Sequence, residues 1–273
     1  SVLSMLAVAA LVFGMTSCNG AKKTSEEAEK TEEAAVIAGK APKDLLTEEL
    51  KQETIQLLKD MPDSDIPYRL STGEVKVNVG DIKYMMPVGK AAEVSTPTQK
   101  ARALGMYMAD YNVLKAIGKP TAEVEGVIAK LATDLNVSFV LDILKEQAPK
   151  DATKVQLQAF LNAQADKIIE KMAAENKVDA EVEMLGAASA EYACLIANPT
   201  LVVEGDATSA GLSTNMEKRV SMLEEVVADL AAYYPDLKQL GETIAPLKEK
   251  VASIQSARAA NAEIMGIRDA LLK

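Results

Sequence analysis

Two carboxylates are the residues whose placement in this sequence could support chemistry. Asp110 is the only charge in residues 104–114, and Glu191 is the only charge in residues 184–196. Two accessible acids could act as general acid and nucleophile or base, as in glycoside hydrolases, whose carboxyls lie about 5–9.5 Å apart. The apolar surroundings favour the alternative, in which both acids are structural and are paired inside the core.

Three polar side chains could pair with these acids. Arg102 lies two helical turns before Asp110, and Tyr111 and Tyr192 directly follow the two acids. A buried charge needs such a partner, because removing the partner costs about 3–5 kcal/mol. We therefore predict a buried polar cluster of Arg102, Asp110, Tyr111, Glu191 and Tyr192, and the sequence assigns no catalytic residue.

Histidine is absent from the 273 residues. Its absence excludes Ser-His-Asp and Cys-His catalysis, His-ligated haem and zinc sites that need His. Di-iron carboxylate bundles also require Glu-x-x-His on two helices, and no glycine-rich phosphate loop follows a strand pattern. The sequence therefore predicts no metal and no cofactor.

An apolar run, Val2–Met15, is followed by Thr16-Ser17-Cys18. The run is shorter than the roughly 20 residues that a transmembrane helix needs, and it is typical of the hydrophobic region of a signal peptide. Small residues directly before Cys18 resemble the lipobox of bacterial lipoproteins. Residues 1–17 are therefore predicted to be a lipoprotein signal peptide, with Cys18 as the lipidated residue. A secretory signal with an incidental cysteine is the alternative.

The residues around Cys18 also predict its location and its surroundings. Asn19 stands where enteric inner-membrane lipoproteins carry Asp, so an outer-membrane lipoprotein that faces the periplasm is expected. Residues 18–42 are rich in Lys, Glu and Ala and have few apolar side chains, which predicts a lipidated flexible tether. Cys194 then has no disulfide partner and is expected to be a small buried hydrophobe.

Charge and lipidation limit the partners. Forty acidic and 30 basic side chains give a net charge of −10, which repels phosphate backbones and argues against nucleic acid. The membrane, through the lipid on Cys18, and an unidentified protein or small molecule are the expected partners.

Helical periodicity dominates residues 43–273, which are predicted to form a single helical domain. The fold class is all-α, an antiparallel multi-helix bundle or array of about seven to eight helices separated by prolines. Residues 74–86 predict either a small β-hairpin, Val75–Val79 with Ile82–Met86, or irregular chain. The predicted helices are 44–61, 98–117, 121–135, 138–148, 151–175, 179–198, 213–233 and 237–272.

Two of these helices, 98–117 and 179–198, share the pattern L-G-x-x-x-A-acid-Y-x-x-L. A glycine within a helix costs about 1 kcal/mol relative to alanine, so Gly105 and Gly186 are expected to permit a close helix–helix approach. The pattern predicts that the two helices pack on each other through both glycines. Alternatively, each glycine faces a different neighbour. Because helix 179–198 is apolar on all sides, it is also expected to be surrounded by protein.

The run Ala101–Tyr111, together with the later small-residue segment that ends at Ala190-Glu191-Tyr192, resembles uncharacterised lipoproteins of Bacteroidetes bacteria. The resemblance covers residues 60–200. It implies a lipidated, all-helical bundle and brings no activity with it. Ser189-Ala190 replace a bulky aromatic residue of such relatives, which implies a differently shaped pocket here.

We therefore expect a non-catalytic, lipid-anchored envelope protein that binds or supports a partner. The alternative is a carboxylate-dependent hydrolase that uses Asp110 and Glu191. A concave pocket with both acids in its wall would favour the hydrolase, and enclosure of both acids in the core would favour the binding protein.

Overall fold

α-Helices form most of the regular structure in residues 30–31, 41–62, 65–77 and 84–273, which are the residues described by a computed structural model. This confirms the all-α prediction. The helices are α1 (Glu48–Lys59), α2 (Asp65–Thr72), α3 (Pro97–Ala116), α4 (Ala122–Asp134), α5 (Phe139–Lys145), α6 (Lys154–Ala174), α7 (Val178–Ala197), α8 (Asp206–Leu230), α9 (Asp236–Ile244), α10 (Leu247–Lys250), α11 (Ile254–Ala259) and α12 (Asn261–Ala270). Short 3-10 helices lie at Pro42–Leu45 and Val88–Ala92.

The predicted signal peptide and Cys18 lie outside the described residues, as does most of the predicted tether, residues 18–42. Lys30 and Thr31 are described and are helical, and the chain is described again from Ala41. Within the described ranges, no helix has both the length and the apolar composition that crossing a bilayer requires.

Threonine caps begin two of the long helices. The Thr96 hydroxyl accepts a hydrogen bond from the Gln99 N–H at 3.1 Å, and Gln99 Oε1 accepts one from the Thr96 N–H at 3.2 Å. Pro97 fits the first position of α3, because an N–H there would have no partner within the helix. Thr153 and Gln156 repeat this reciprocal pair before α6. The local sequence therefore sets where both helices start.

Three of the helices that end at a residue with positive φ share one kind of stop: α3 at Gly118 (68°), α4 at Asn136 (56°) and α6 at Asn176 (55°). After each of them, the next N–H donates to the carbonyl five residues earlier, at 2.7–2.9 Å. Glycine and asparagine adopt this left-handed conformation more easily than other residues. These stops keep the connections short, so that consecutive helices pack beside each other.

The predicted β-hairpin is wrong, because its first strand pairs with a strand from a distant part of the chain. Strand β1 (Val75–Val77) pairs antiparallel with β2 (Leu201–Val203), with Val75 opposite Val203. Tyr84 and Met86 are buried but do not form a strand, and residues 78–83 lie outside the described ranges. The alternation of apolar side chains shows which face of a strand is buried, but it does not identify the strand beside it.

The C-terminal region 237–272, predicted as one helix, forms four short helices, α9 to α12. The prediction is wrong because two residues interrupt the helical hydrogen bonds. Pro246 has no N–H to donate and begins α10. Ser253 begins α11, where its Oγ accepts the N–H of Ser256 at 3.0 Å.

Helix α2 was not predicted, because residues 62–97 have no long helical repeat. Pro67 lies in the first turn of α2, where proline is tolerated. Arg69 forms an ion pair with Asp65 one turn earlier, at 2.9 Å. The buried apolar side chains of α2 belong to the hydrophobic core.

Helix α7 is the centre of the fold, as its apolar sequence predicts. Every one of its residues except Asp179 and Ala180 is buried. Its neighbours include α3, α6, α8, α9, α11 and α12. Nearly all of the buried apolar side chains of the described residues form one connected cluster around it.

The two glycines of the shared pattern face different neighbours. A Cβ on Gly105 would lie 2.0 Å from the Met184 carbonyl oxygen, so the backbones of α3 and α7 are in direct contact. A Cβ on Gly186 would instead meet Leu240 Cδ1 of α9 at 2.7 Å. The predicted packing of the two helices on each other is confirmed for Gly105, and the predicted role of Gly186 in that contact is wrong.

We expect the substitution Gly105→Ala to lower the free energy of unfolding by about 1–3 kcal/mol or more, because a backbone must move to make room. Gly186→Ala should cost less, since the Leu240 side chain can turn away. Gly126→Ala on α4, whose new Cβ meets nothing within 4 Å, should be neutral or stabilising. Urea unfolding of the three variants tests this order, and a Gly105→Ala protein as stable as Gly126→Ala would contradict it.

Candidate functional site

Asp110 and Glu191 meet between α3 and α7, inside the core. Each is 1% exposed. The backbone N–H of Met86 donates to Asp110 Oδ2 at 3.0 Å. Burial, and then the neighbouring Glu191, raise the pKa of Asp110 well above its ordinary value. The two acids that the sequence singles out are therefore both buried and adjacent.

Arg268, on the C-terminal helix α12, supplies the cation of this acid pair. Its Nη1 lies 3.6 Å from Glu191 Oε2 and also donates to the Tyr84 carbonyl. Burial raises the pKa of Glu191 to about 7, although the charge of Arg268 opposes that rise. Arg268 was not predicted from the sequence, because it lies far along the chain in a region with ordinary amphipathic spacing.

A proton on Asp110 accounts for the arrangement. If both acids were ionised, Asp110 Oδ1 and both Glu191 oxygens would have no hydrogen-bond donor within the described part of the chain. A protonated Asp110 can donate to Glu191, while Arg268 balances the remaining negative charge. This assignment also avoids two adjacent like charges in the core.

Neither acid is accessible to a substrate. Both are almost fully enclosed, and neither lines the clefts described below. The nearby Cys194 is also 1% exposed, and burial raises the pKa of its thiol. Cys194 is thus the small buried residue that its sequence context predicts, and this part of the core offers no reachable nucleophile.

The other predicted cluster members lie elsewhere. Arg102 Nε donates to Glu183 Oε2 at 2.6 Å, so the prediction that it pairs with Asp110 or Glu191 is wrong. Asp110 lies eight residues along α3 from Arg102, and Glu191 lies eight residues along α7 from Glu183. Eight residues of helix span about 12 Å, which is too far for Arg102 to reach the acid pair.

Tyr111 and Tyr192 are also buried but do not join the acid pair. The Tyr111 hydroxyl donates to the Leu144 carbonyl at 3.4 Å. Tyr192 is hydrogen bonded to Asn112, and the Arg219 guanidinium lies 5.7 Å from its ring centre. Neighbours in the sequence of a helix point in different directions, so each tyrosine faces a different part of the core than the acid before it.

A cleft of about 80 Å³ lies between α3, α6 and α7 and contains a buried acid that the sequence analysis missed. Glu181 lines this cleft, is 2% exposed and has no hydrogen-bond partner for Oε2 among the described residues. Burial alone raises the pKa of its carboxyl to about 8. Its signal in the sequence was weak, because an acid in the first turn of a helix is usually a solvated end.

Arg219, on α8, also reaches the wall of this cleft. Its Nε donates to Ser189 Oγ at 2.5 Å, and its Nη2 donates to the Leu185 carbonyl at 3.2 Å. Burial lowers the pKa of this guanidinium to about 9. Arg219 therefore holds α8 against α7 through these hydrogen bonds. It is not among the groups that shift the pKa of Glu181.

A larger cleft, of about 510 Å³, lies where the chain enters the helical array near Pro42. Its charged side chains have both signs and include Lys43, Asp179 and Asp236. Glu183, in its wall, is already paired with Arg102. This cleft is larger than the first, but its buried acid, Glu183, already has a cationic partner within the protein.

Within the described ranges, no group of three or more His, Cys, Asp or Glu side chains is arranged to hold a metal ion. Comparison of the chain with protein-family models, with curated proteins and with solved structures gave no match. The resemblance to Bacteroidetes lipoproteins therefore stays a prediction from the motifs quoted above.

The acid pair should make the folded protein less stable as the pH rises. Its pKa values are raised above those of the unfolded chain, so the folded state binds more protons between about pH 4 and 7. Stability is then lost as the pH rises through that window, by about 1.4 kcal/mol per pH unit for one proton. Asp110→Asn keeps the acceptor for Met86 and removes the shared proton.

We therefore expect the melting temperature of Asp110→Asn to fall less between pH 5 and pH 8 than that of the wild type. Glu181 and Glu183 remain in both proteins, so the difference isolates the acid pair. Asp142→Asn, at an exposed position of α5, should follow the wild type. Parallel melting profiles for wild type and Asp110→Asn would show that the pair holds no extra proton.

Proposed function

We propose that this protein is a non-catalytic, lipid-anchored binding protein of the bacterial envelope, held at the outer membrane through Cys18 and facing the periplasm. Its ligand site is the cleft between α3, α6 and α7. The observation that carries the proposal is Glu181, a buried carboxyl with an oxygen that no described residue satisfies, in the wall of a chiefly apolar cleft. Such a group is expensive to bury unless a ligand pairs with it.

The enclosure of the acid pair supports binding over hydrolysis. A hydrolase that used Asp110 and Glu191 would need both carboxyls in the wall of a pocket that admits substrate. Each is 1% exposed instead, and each is used by a core partner. Their arrangement is the one expected of structural carboxylates.

The surface gives less support to a scaffold that docks through apolar contacts. The large hydrophobic side chains exposed in the described ranges are three valines, Val88, Val155 and Val202. They lie on three separate elements, and scattered apolar residues are normal on a protein surface. A small molecule in the cleft is therefore the better supported partner.

The anchor is supported by the sequence before the described helices. The apolar run, the small residues before Cys18 and the Lys- and Glu-rich segment after it follow the order of a lipoprotein export signal and its tether. A lipid at Cys18 would hold the helical array, and its cleft, near the membrane surface.

Metabolic labelling with an alkyne fatty acid tests the anchor. The wild-type precursor should incorporate the label, and Cys18→Ala should lose it, because no thiol then stands at the lipobox position. Cys194→Ala is the matched control and should label like the wild type, since that thiol is buried. Equal labelling of Cys18→Ala and wild type would contradict lipidation at Cys18.

Two alanines on α6 allow the cleft itself to be tested. Ala165 lines the cleft, whereas Ala163 is exposed. The low-molecular-mass fraction of the periplasm should raise the melting temperature of wild type and Ala163→Leu by mass action. Ala165→Leu fills the cleft and should show no such rise. Absence of a rise for wild type, or an equal rise for Ala165→Leu, would contradict a ligand site here.

A further inference from the structure

The shape of the α3–α6–α7 cleft limits the size of its ligand. One water molecule needs about 10–15 Å³ of such a space, so about 80 Å³ holds a short chain of a few heavy atoms. Gly105, which has no side chain, and the small alanines of α3 and α7 line this space and leave room for a ligand. The ligand is therefore small, and larger molecules could insert only one end.

The wall of the cleft is chiefly apolar. Thioethers and branched side chains from α3, α5, α6 and α7 face the space, and methionine adapts its shape to a ligand more readily than other apolar residues. Such a wall fits an aliphatic chain. The large apolar residues of the wall are Met108, Leu144, Leu161, Ile168, Met184 and Leu185.

Two acceptors stand at this wall. Glu181 Oε2 has no donor within the described residues. Gln164, which is 8% exposed, uses its Nε2 on the carbonyls of Ile143 (2.6 Å) and Glu146 (3.3 Å). Its amide orientation is thus fixed, with Oε1 as the acceptor of a side chain that lines the cleft. A ligand that satisfies both groups must bring hydrogen-bond donors.

The charge around the cleft favours a cationic donor. The other titratable groups of the wall are Arg219, whose guanidinium is bound to Ser189 and Leu185, and Tyr192, which is bound to Asn112. Helices α3, α5 and α6 bring no charged group to the wall. The whole chain is acidic, with a net charge of −10, and such a field raises the local concentration of cations.

We propose, building on the binding function above, that the cleft binds a primary amine on a short aliphatic chain, with the ammonium group on Glu181 and the chain against the methionines. An ammonium group has three donors and no acceptor, which matches two acceptors in an apolar wall. Binding converts the protonated Glu181 carboxyl to a carboxylate: the ammonium ion remains intact, and the carboxyl proton passes to the solvent. No covalent bond forms or breaks in the ligand.

Calorimetry on the full chain with n-butylammonium chloride tests this assignment, with n-butanol as the neutral probe and butyrate as the anionic one. Butylammonium should bind the wild type about tenfold or more tightly than butanol, because a charge-assisted hydrogen bond is stronger than a neutral one. Titrations at pH 7 in two buffers of different ionisation enthalpy should show the release of nearly one proton. That release should vanish above the pKa of Glu181, about 8.

Glu181→Gln keeps the shape of the side chain and should lose the preference for butylammonium over butanol. Glu225→Gln, on an exposed position of α8, is the matched control and should keep it. Equal affinity of Glu181→Gln and wild type for butylammonium would overturn the proposal. If Glu181→Gln does not fold, the comparison of the three probes on the wild type tests the charge by itself.

Methyl NMR signals of Met108 and Met184 distinguish the claim that the cleft binds an amine from the broader claim that the cleft binds a ligand. Shifts with butylammonium, and not with butanol or butyrate at the same concentration, support the amine. Shifts with butanol or butyrate alone would overturn the amine and leave a binding cleft. Absence of shifts with all three probes would overturn both the amine and the cleft as a ligand site.

Discussion

The contact between α3 and α7 at Gly105 is the constraint on which the rest of the structure depends. No side chain separates the two backbones there, because even a Cβ would lie 2.0 Å from the Met184 carbonyl oxygen. This approach brings Arg102 opposite Glu183 and Asp110 opposite Glu191. Since the pairs follow in the same order along both helices, α3 and α7 run in the same direction. The cleft with Glu181 lies beside the same contact.

Two buried arginines then fix the positions of the helices that pack around α3 and α7. Helix α12 is held where Arg268 meets Glu191, and α8 is held where Arg219 meets Ser189 and the Leu185 carbonyl. Each of these contacts would leave a costly buried group if its helix shifted. Glu181 differs from them, because its Oε2 has no such partner within the described ranges. Arg268 balances the charge of the acid pair, whereas the pKa of Glu181 is shifted by burial alone, with no charged partner, and this contrast supports the proposed ligand site.

Much of the helical array could be predicted from local signals. Thr96, Thr153 and the prolines define starts, while Gly118, Asn136 and Asn176 define ends, and all of these act within a few residues. The burial of Asp110 and Glu191 also followed from their being lone charges on apolar helices. Local patterns do not report which distant residue completes a contact, which is why the partner of β1 and the cation beside Glu191 were missed. Glu181 was missed for a related reason: only the tertiary structure shows that this first-turn acid is enclosed.

The most direct test of the central claim, that Glu181 is held inside the protein for a ligand, is a site-resolved titration of its carboxyl carbon. Carbon-13 NMR of glutamate-labelled protein, with Glu181→Gln to assign the signal, gives the pKa of this group in the free protein. We expect a midpoint near 8, so that the carboxyl is neutral at pH 7 until a cation binds. A midpoint near the ordinary glutamate value of about 4.3 would contradict it, because Glu181 would then be solvated and in no need of a ligand.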